Sequence, residues 1–431
     1  MKQVSVASLK SLDSNLAGAY GVMENLIKDA ARKKFKKSDL NVVIEFMDKK
    51  SEKKQSVEVP LYDWEKFQKV SEFMNVAVAA PKILSETSLQ QIVNQWEYLL
   101  GGFIRARFET NSDLINGQTL VSYEKIKCLK NIDEVKRLFA DQIVGDVMGR
   151  NFNEQLKFFK EEFKVNMSEV FPELKKLKEG IFRRHMIVHC GAIATTQYCN
   201  EVKKLGLSVP KEGITLFTDF DYVLDAWDLF FAAGVILSHL VAVNFARSQK
   251  DEKMEADADS FLLVSSYNAL IEKRYNAAKM MLEYANARRI ASEWEEKALR
   301  VNLALVYKRM GRVEDCEKVL DERDWSSYSE DFLAPIYALR GDYVEVGKIM
   351  KKRARKDRSA VQEVMEWPVY EDFRNDTVGK AFIATVVNGN GSDLEQDENP
   401  KININAKDEC CKKRLISLYN CALGVRNCGA N

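Results

Sequence analysis

Leu89-Gln90-Gln91-Ile92-Val93-Asn94-Gln95-Trp96-Glu97-Tyr98-Leu99-Leu100 places Leu89, Ile92, Val93, Trp96, Leu99 and Leu100 on one stripe, because its apolar residues return at intervals of three and four. That periodicity predicts an amphipathic helix. Just upstream, Ser85-Glu86-Thr87-Ser88 offers N-cap residues. Pro81 is expected to end an earlier helix over residues 64–80. Downstream, residues 132–138, 152–163, 171–199 and 217–245 repeat the helical pattern, separated by short polar turns. Long helices joined in this way predict a helical bundle over residues 85–250.

The flanking regions differ. In residues 1–84 a helix-like stretch over 16–35 precedes Val42, Ile44 and Phe46, which alternate with polar residues. Val57, Val59 and Leu61 alternate in the same way after a charged loop. This is the signature of a small N-terminal α/β segment containing a β-hairpin. Past residue 251 the chain repeats itself: Tyr307-x3-Gly311-x-Val313-x2-Cys316 recurs as Tyr337-x3-Gly341-x-Tyr343-x2-Val346, with Ala269-x3-Lys273-x-Tyr275-x2-Ala278 upstream. The glycine permits a tight exit from one helix, and a small or apolar final residue lets the next helix approach. Over about residues 260–355 this resembles the tetratricopeptide repeat, although the first copy lacks the glycine. Residues 251–375 are therefore expected as α-α repeats and residues 376–431 as a flexible tail. The fold class is mainly α.

The chain has 431 residues, 46% hydrophobic and 30% charged, with a formal net charge of +1. Such a composition is globular and too long for one ordinary core. A balanced charge excludes a global field that would drive the chain onto nucleic acid or membrane. The basic runs at residues 32–37 and 351–356 are expected to be solvated helix faces. The most apolar stretch, residues 229–243, contains His239 and reads as a buried helix rather than a membrane span. Residues 1–6 have no apolar core of signal-peptide length, so a cytoplasmic location is expected, with the eight cysteines as free thiols. Cys410, Cys411, Cys421 and Cys428 match no standard zinc spacing. Neither metal nor cofactor is expected.

Two of the three histidines fall within Arg183-Arg184-His185-Met186-Ile187-Val188-His189-Cys190. Imidazole exchanges protons near neutrality. A guanidinium matches the non-bridging oxygens of a phosphate. Together they suit metal-independent cleavage of RNA, in which one group takes the proton of a ribose 2′-OH and another protonates the leaving oxygen. On a helix His185 and His189 share a face. Arg184 and His189 lie about 140° apart around the axis, so a regular helix does not join them into one site.

Arg184-His185-Met186-Ile187-Val188-His189-Cys190-Gly191 resembles the signature of the HEPN superfamily, in which an arginine, a polar residue and a few further positions precede a histidine. Gly191 lies one position earlier than in the commonest phrase. The stretch Trp96-Glu97-Tyr98-Leu99-Leu100 resembles the family's first helix. The resemblance spans about residues 86–246. It implies a metal-independent endoribonuclease acting as a homodimer, with His189 as acid–base residue, Arg184 as phosphate binder and His185 as auxiliary. Arg183 is an alternative phosphate binder. Family members serve as toxins and antiphage, abortive-infection effectors, and some are non-catalytic. RNA is then the substrate, and a protein or peptide partner (antitoxin, sensor or phage trigger) would dock on the repeats. The alternative is a non-catalytic adaptor with structural histidines. A nucleotide-binding regulatory domain is disfavoured because no phosphate-cradling glycine loop occurs.

Overall fold

The computed structural model of the chain describes residues 41–47, 54–60, 64–110, 122–127, 129–323, 325, 330–357 and 359–388. These residues are mainly helical and fall into two compact units, one drawn from Met1–Gln90 with Phe217–Val223 and the other from Gln91–Leu216 with Leu224–Asn431.

In the first unit, β1 (Asn41–Met47) and β2 (Lys54–Pro60) pair antiparallel, with Val42 opposite Val59 and Ile44 opposite Val57. Leu61, the charged residues 48–53, the helix expected over 16–35 and its basic run lie outside the described residues.

Helix α1 (Trp64–Thr110) corrects the expected break at Pro81, because it runs through the proline without stopping. An internal proline costs about 3 kcal/mol. That cost is local, whereas Leu89, Val93, Trp96, Leu100, Ile104 and Phe108 are all buried along the helix beyond it, each worth about 1.5–3 kcal/mol. Ser85 is no cap but a buried interior residue. Its Oγ lies 2.9 Å from the Lys82 carbonyl oxygen and 2.5 Å from that of Thr218.

The second unit continues α1 into α2 (Tyr123–Ile126), α3 (Ile132–Met148), α4 (Phe152–Phe163), α5 (Met167–Val170), α6 (Leu174–Cys190), α7 (Thr196–Lys204) and α8 (Phe220–Gln249). The span 171–199 is thus two helices rather than one, interrupted where Gly191 and Ala192 adopt left-handed backbone with φ of 59° and 62°. Trp96 meets Phe230 edge-on at 6.1 Å, and Phe103 meets Phe163 at 6.4 Å, so α1, α4 and α8 share one core. A Cβ on Gly234 would stand 3.2 Å from Leu99 Cδ2, which shows how closely α8 approaches α1. At 30 residues α8 is long and apolar enough to cross a membrane by length and composition, but 61% of its most apolar window is buried inside the protein.

Three helix–turn–helix pairs follow: α9 (Glu252–Ile271) with α10 (Tyr275–Asn286), α11 (Glu293–Arg309) with α12 (Val313–Asp321), and α13 (Glu330–Arg340) with α14 (Tyr343–Lys356). All three turns are built alike. The backbone N–H groups of Arg274, Arg312 and Asp342 donate to the carbonyls of Ala269, Tyr307 and Tyr337 at 2.8, 2.8 and 2.9 Å. The residue before each donor is left-handed: Lys273, Gly311 and Gly341, with φ of 59°, 75° and 80°. This is the Schellman closure, which favours glycine at the left-handed position. The missing glycine of the first copy is therefore a lysine held in the same geometry. Ala278, Cys316 and Val346 are buried where each second helix meets the first.

The chain then turns through α15 (Ser359–Glu366), the 3-10 turn Pro368–Tyr370 and α16 (Glu371–Asn375) back onto α11. Trp367 Nε1 donates to Asn302 Oδ1 at 3.1 Å, and Arg309 donates to Asp372 Oδ1 at 2.8 Å. The expected tail over 376–431 also needs correction at its start. Helix α17 (Thr377–Asn388) is ordered by burial of Phe382 against Phe373 and by Asp376, which accepts the Val378 N–H at 2.8 Å. Residues 389–431, with the four tail cysteines, lie outside the described residues. The basic run at 351–356 is only partly a solvated face, because Arg353 turns inward to Glu363 at 2.7 Å and Asp331 at 2.8 Å.

The shared turn geometry has a direct consequence. Gly311→Ala and Gly341→Ala should each lower stability by about 1 kcal/mol, whereas Lys273→Gly should raise it by about 0.5 kcal/mol. Urea denaturation midpoints measure all three, and a Lys273→Gly protein less stable than wild type would contradict the assignment.

Candidate functional site

Helix α6 sets the site through its phase. Phe182, Met186 and Cys190, spaced by four, lie against the cluster formed by Ala194, Tyr198, Val202 and Leu216. Gly191 and Ala192 then close the helix, with the Ala192 N–H donating to the Met186 carbonyl at 3.0 Å. Beyond this cap the chain pairs briefly with residues 213–216: the Ala194 N–H donates to the Ile214 carbonyl at 2.9 Å and the Leu216 N–H to the Ala192 carbonyl at 2.6 Å. With one face fixed inward, the remaining positions of α6 have no freedom of choice.

His185 and His189 occupy the outward face. Both are exposed, their ring centroids are 4.5 Å apart at 47°, and neither ring hydrogen-bonds to another described residue. The His185 imidazole is held below its ordinary value, first by partial desolvation and then by His189 and Arg184. This favours the neutral ring, which carries a nitrogen lone pair. Val188, between the two, is exposed.

The arginines are engaged elsewhere. Arg184 Nη2 donates to Glu97 Oε1 on α1, and its Nε is buried without a partner. Arg183 Nε donates to Glu179 Oε1 at 2.8 Å, one turn earlier on α6. The same Glu179 oxygen accepts the Tyr198 hydroxyl at 2.6 Å, and burial together with this carboxylate raises the tyrosine well above its usual range. Of the four residues expected from the sequence, the structure brings His185 and His189 together. It leaves Arg184 on Glu97 and ties Arg183 into a structural Glu179–Tyr198 network. Glu97 belongs to the stretch resembling the family's first helix, but its link to Arg184, 87 positions away, has no sequence signal.

The third histidine is the opposite case. His239, on α8, is 1% exposed, with Nδ1 2.8 Å from the Tyr284 hydroxyl and Nε2 2.8 Å from Asp259 Oδ1. The other Asp259 oxygen accepts the Ala291 N–H at 2.7 Å. A neutral ring that donates from Nε2 and accepts from Tyr284 satisfies every group. The network joins α8, α9 and α10, and no solvent reaches it. Among the described residues no group of three or more His, Cys, Asp or Glu side chains could hold a metal ion.

Comparison of the chain with protein-family models, with curated proteins and with solved structures finds no match.

Burial holds His239 below the ordinary imidazole value, with Arg288 and Arg247 acting in the same sense and Asp259 opposing them. The unfolded chain, titrating near pH 6.5, thus binds the proton first. The stability linked to this group is complete above about pH 6.5 and declines as pH falls toward the folded value, by at most about 1.4 kcal/mol per pH unit. Melting temperatures of wild type and His239→Gln between pH 7.5 and 5 should converge as the pH drops. Parallel curves would rule out the network as the cause.

Proposed function

We propose that the chain is a metal-independent endoribonuclease of HEPN type, cutting RNA by attack of a ribose 2′-OH on the adjacent phosphodiester, in the manner of a toxin or antiphage effector. The observation that carries this reading is the exposed imidazole pair on the outward face of α6, neither ring of which hydrogen-bonds to a described residue. A structural histidine in this fold is buried and doubly hydrogen-bonded, as His239 is. His185 and His189 have neither property.

In this reading His189 is the general acid–base residue, His185 assists it, and Arg184 receives the phosphate. Arg184 and Glu97 are both partly buried at this ion pair, and a phosphate, which accepts the same guanidinium hydrogen bonds, would take the place of the carboxylate. A single chain holds only half of what the reaction needs, because the imidazoles and the guanidinium diverge. A second copy supplying the complementary groups completes the site. Exposed Tyr98, Val188 and Ile193 offer apolar surface on the elements that carry these groups. The repeats, read as tetratricopeptide-like, would hold a regulatory protein or peptide. The α11 face bearing Asn302 and Arg309 is already covered by the chain's own residues 367–372, so such a partner would use another face.

A second reading, a non-catalytic adaptor, is favoured by the engagement of both arginines in ion pairs. Two substitutions separate the readings. His189→Ala should reduce RNA cleavage in chelator by at least about 100-fold while leaving the circular dichroism unchanged, with wild-type products ending in 2′,3′-cyclic phosphate. Glu97→Gln, which releases Arg184, should lower the KM for RNA if Arg184 binds phosphate. If the pair is only structural, it should lower stability alone. Undiminished cleavage by His189→Ala would eliminate the nuclease reading.

A further inference from the structure

The same two rings carry an inference that lies beyond RNA cleavage. We infer that His185 and His189 form an open two-imidazole site for a divalent transition-metal ion that prefers square or tetragonal surroundings, Cu2+ or Ni2+. The backbone of α6 is helical on both sides of the pair, which fixes the two Cα positions one turn apart. Side chains so placed are about 5–6 Å apart at Cβ, the span that two imidazoles need to reach one ion.

The ring separation suits one shared ion. With nitrogen about 2.0–2.1 Å from the metal, two imidazoles meeting an ion at a right angle have centroids about 4.6 Å apart, and at the tetrahedral angle about 5.3 Å. The observed 4.5 Å lies close to that range, so both rings can reach one ion. Nitrogen ligands in square or tetragonal surroundings suit Cu2+ and Ni2+, and Cu2+ is held most tightly of the divalent first-row ions.

The electrostatic setting permits a cation. Two arginines adjoin the pair, but Arg184 is ion-paired with Glu97 and Arg183 with Glu179. Both rings are exposed and engaged in no hydrogen bond to a described residue, so no existing bond has to break for the ion to enter. The absence of a third ligand among the described residues makes the site open, its other positions being filled by water. Where the nuclease reading also holds, the ion takes the lone pair that His189 would use on the 2′-OH, and metal occupancy and cleavage exclude one another.

The test uses the full, untagged chain with its accessible thiols alkylated, titrated with Cu2+ alone and followed by calorimetry and by the nitrogen couplings of the Cu2+ electron-spin signal. One ion per chain coordinated by two nitrogens is expected. His185→Ala and His189→Ala should each weaken this binding at least about tenfold, because a single imidazole forms no chelate. Both rings are exposed, so both variants should keep the wild-type circular dichroism. Wild-type Cu2+ affinity in either variant, or a wild-type signal lacking two-nitrogen coupling, overturns the inference. RNA cleavage is not part of the readout, so failure of the nuclease reading leaves this result standing, and the converse holds.

Discussion

Burial of one stripe of α6 is the constraint from which the rest of the site follows. Phe182, Met186 and Cys190 pack against the cluster around Tyr198 and Val202, which fixes the rotation of the helix about its own axis. An α-helix advances about 100° per residue, so once Met186 points inward the directions of its neighbours are determined. His185 and His189 must face out, and Arg184 must face the side where α1 presents Glu97. Rotating the helix to turn Arg184 in the direction that His185 and His189 now face would expose Phe182 and Met186, at about 1.5–3 kcal/mol for each large side chain withdrawn from the core. The Arg184–Glu97 pair follows from this geometry.

The three histidines show how burial assigns roles to one residue type. His239 sits in an apolar helix, where an unsatisfied ring would carry a penalty of about 1–3 kcal/mol, and both of its nitrogens are accordingly bonded. Its partners come from two other helices, 20 and 45 positions along the chain, and they lock its tautomer. His185 and His189 incur no such penalty because water satisfies them, and so the fold needs nothing from them. Groups that the fold does not need are the ones free to do chemistry.

Local features were legible in the sequence and long-range ones were not. Helix α4 coincides with the periodic stretch 152–163, and the Tyr-x3-Gly pattern located the turns after α11 and α13 to the residue, because both signals depend on neighbours within one or two turns. The break expected at Pro81 did not occur, since a local cost of about 3 kcal/mol is smaller than what the helix gains by packing further along. Ser85 reads as a cap in sequence but meets the Thr218 carbonyl, 133 positions away. Helix α17 escaped notice because Thr377–Asn388 precedes an Asn-Gly-rich stretch, and only the packing of Phe382 on Phe373 orders it. At the site the string itself was legible, as was the divergence of Arg184 from His189. The Glu97 contact and the Glu179–Tyr198 network were not.

The regularity of α6 bears most on how the site can work. A distorted helix could have curled Arg184 toward His189 and built a complete site in one chain, but the intrahelical ladder runs unbroken to a clean cap at Gly191 and Ala192. Imidazoles and guanidinium therefore remain on different faces for as long as the helix survives. Any reaction that needs both on one phosphate must bring in a surface from outside this helix. In the nuclease proposed above, a site divided in this way would be inactive in isolation, and its activity would depend on the concentration of whatever completes it.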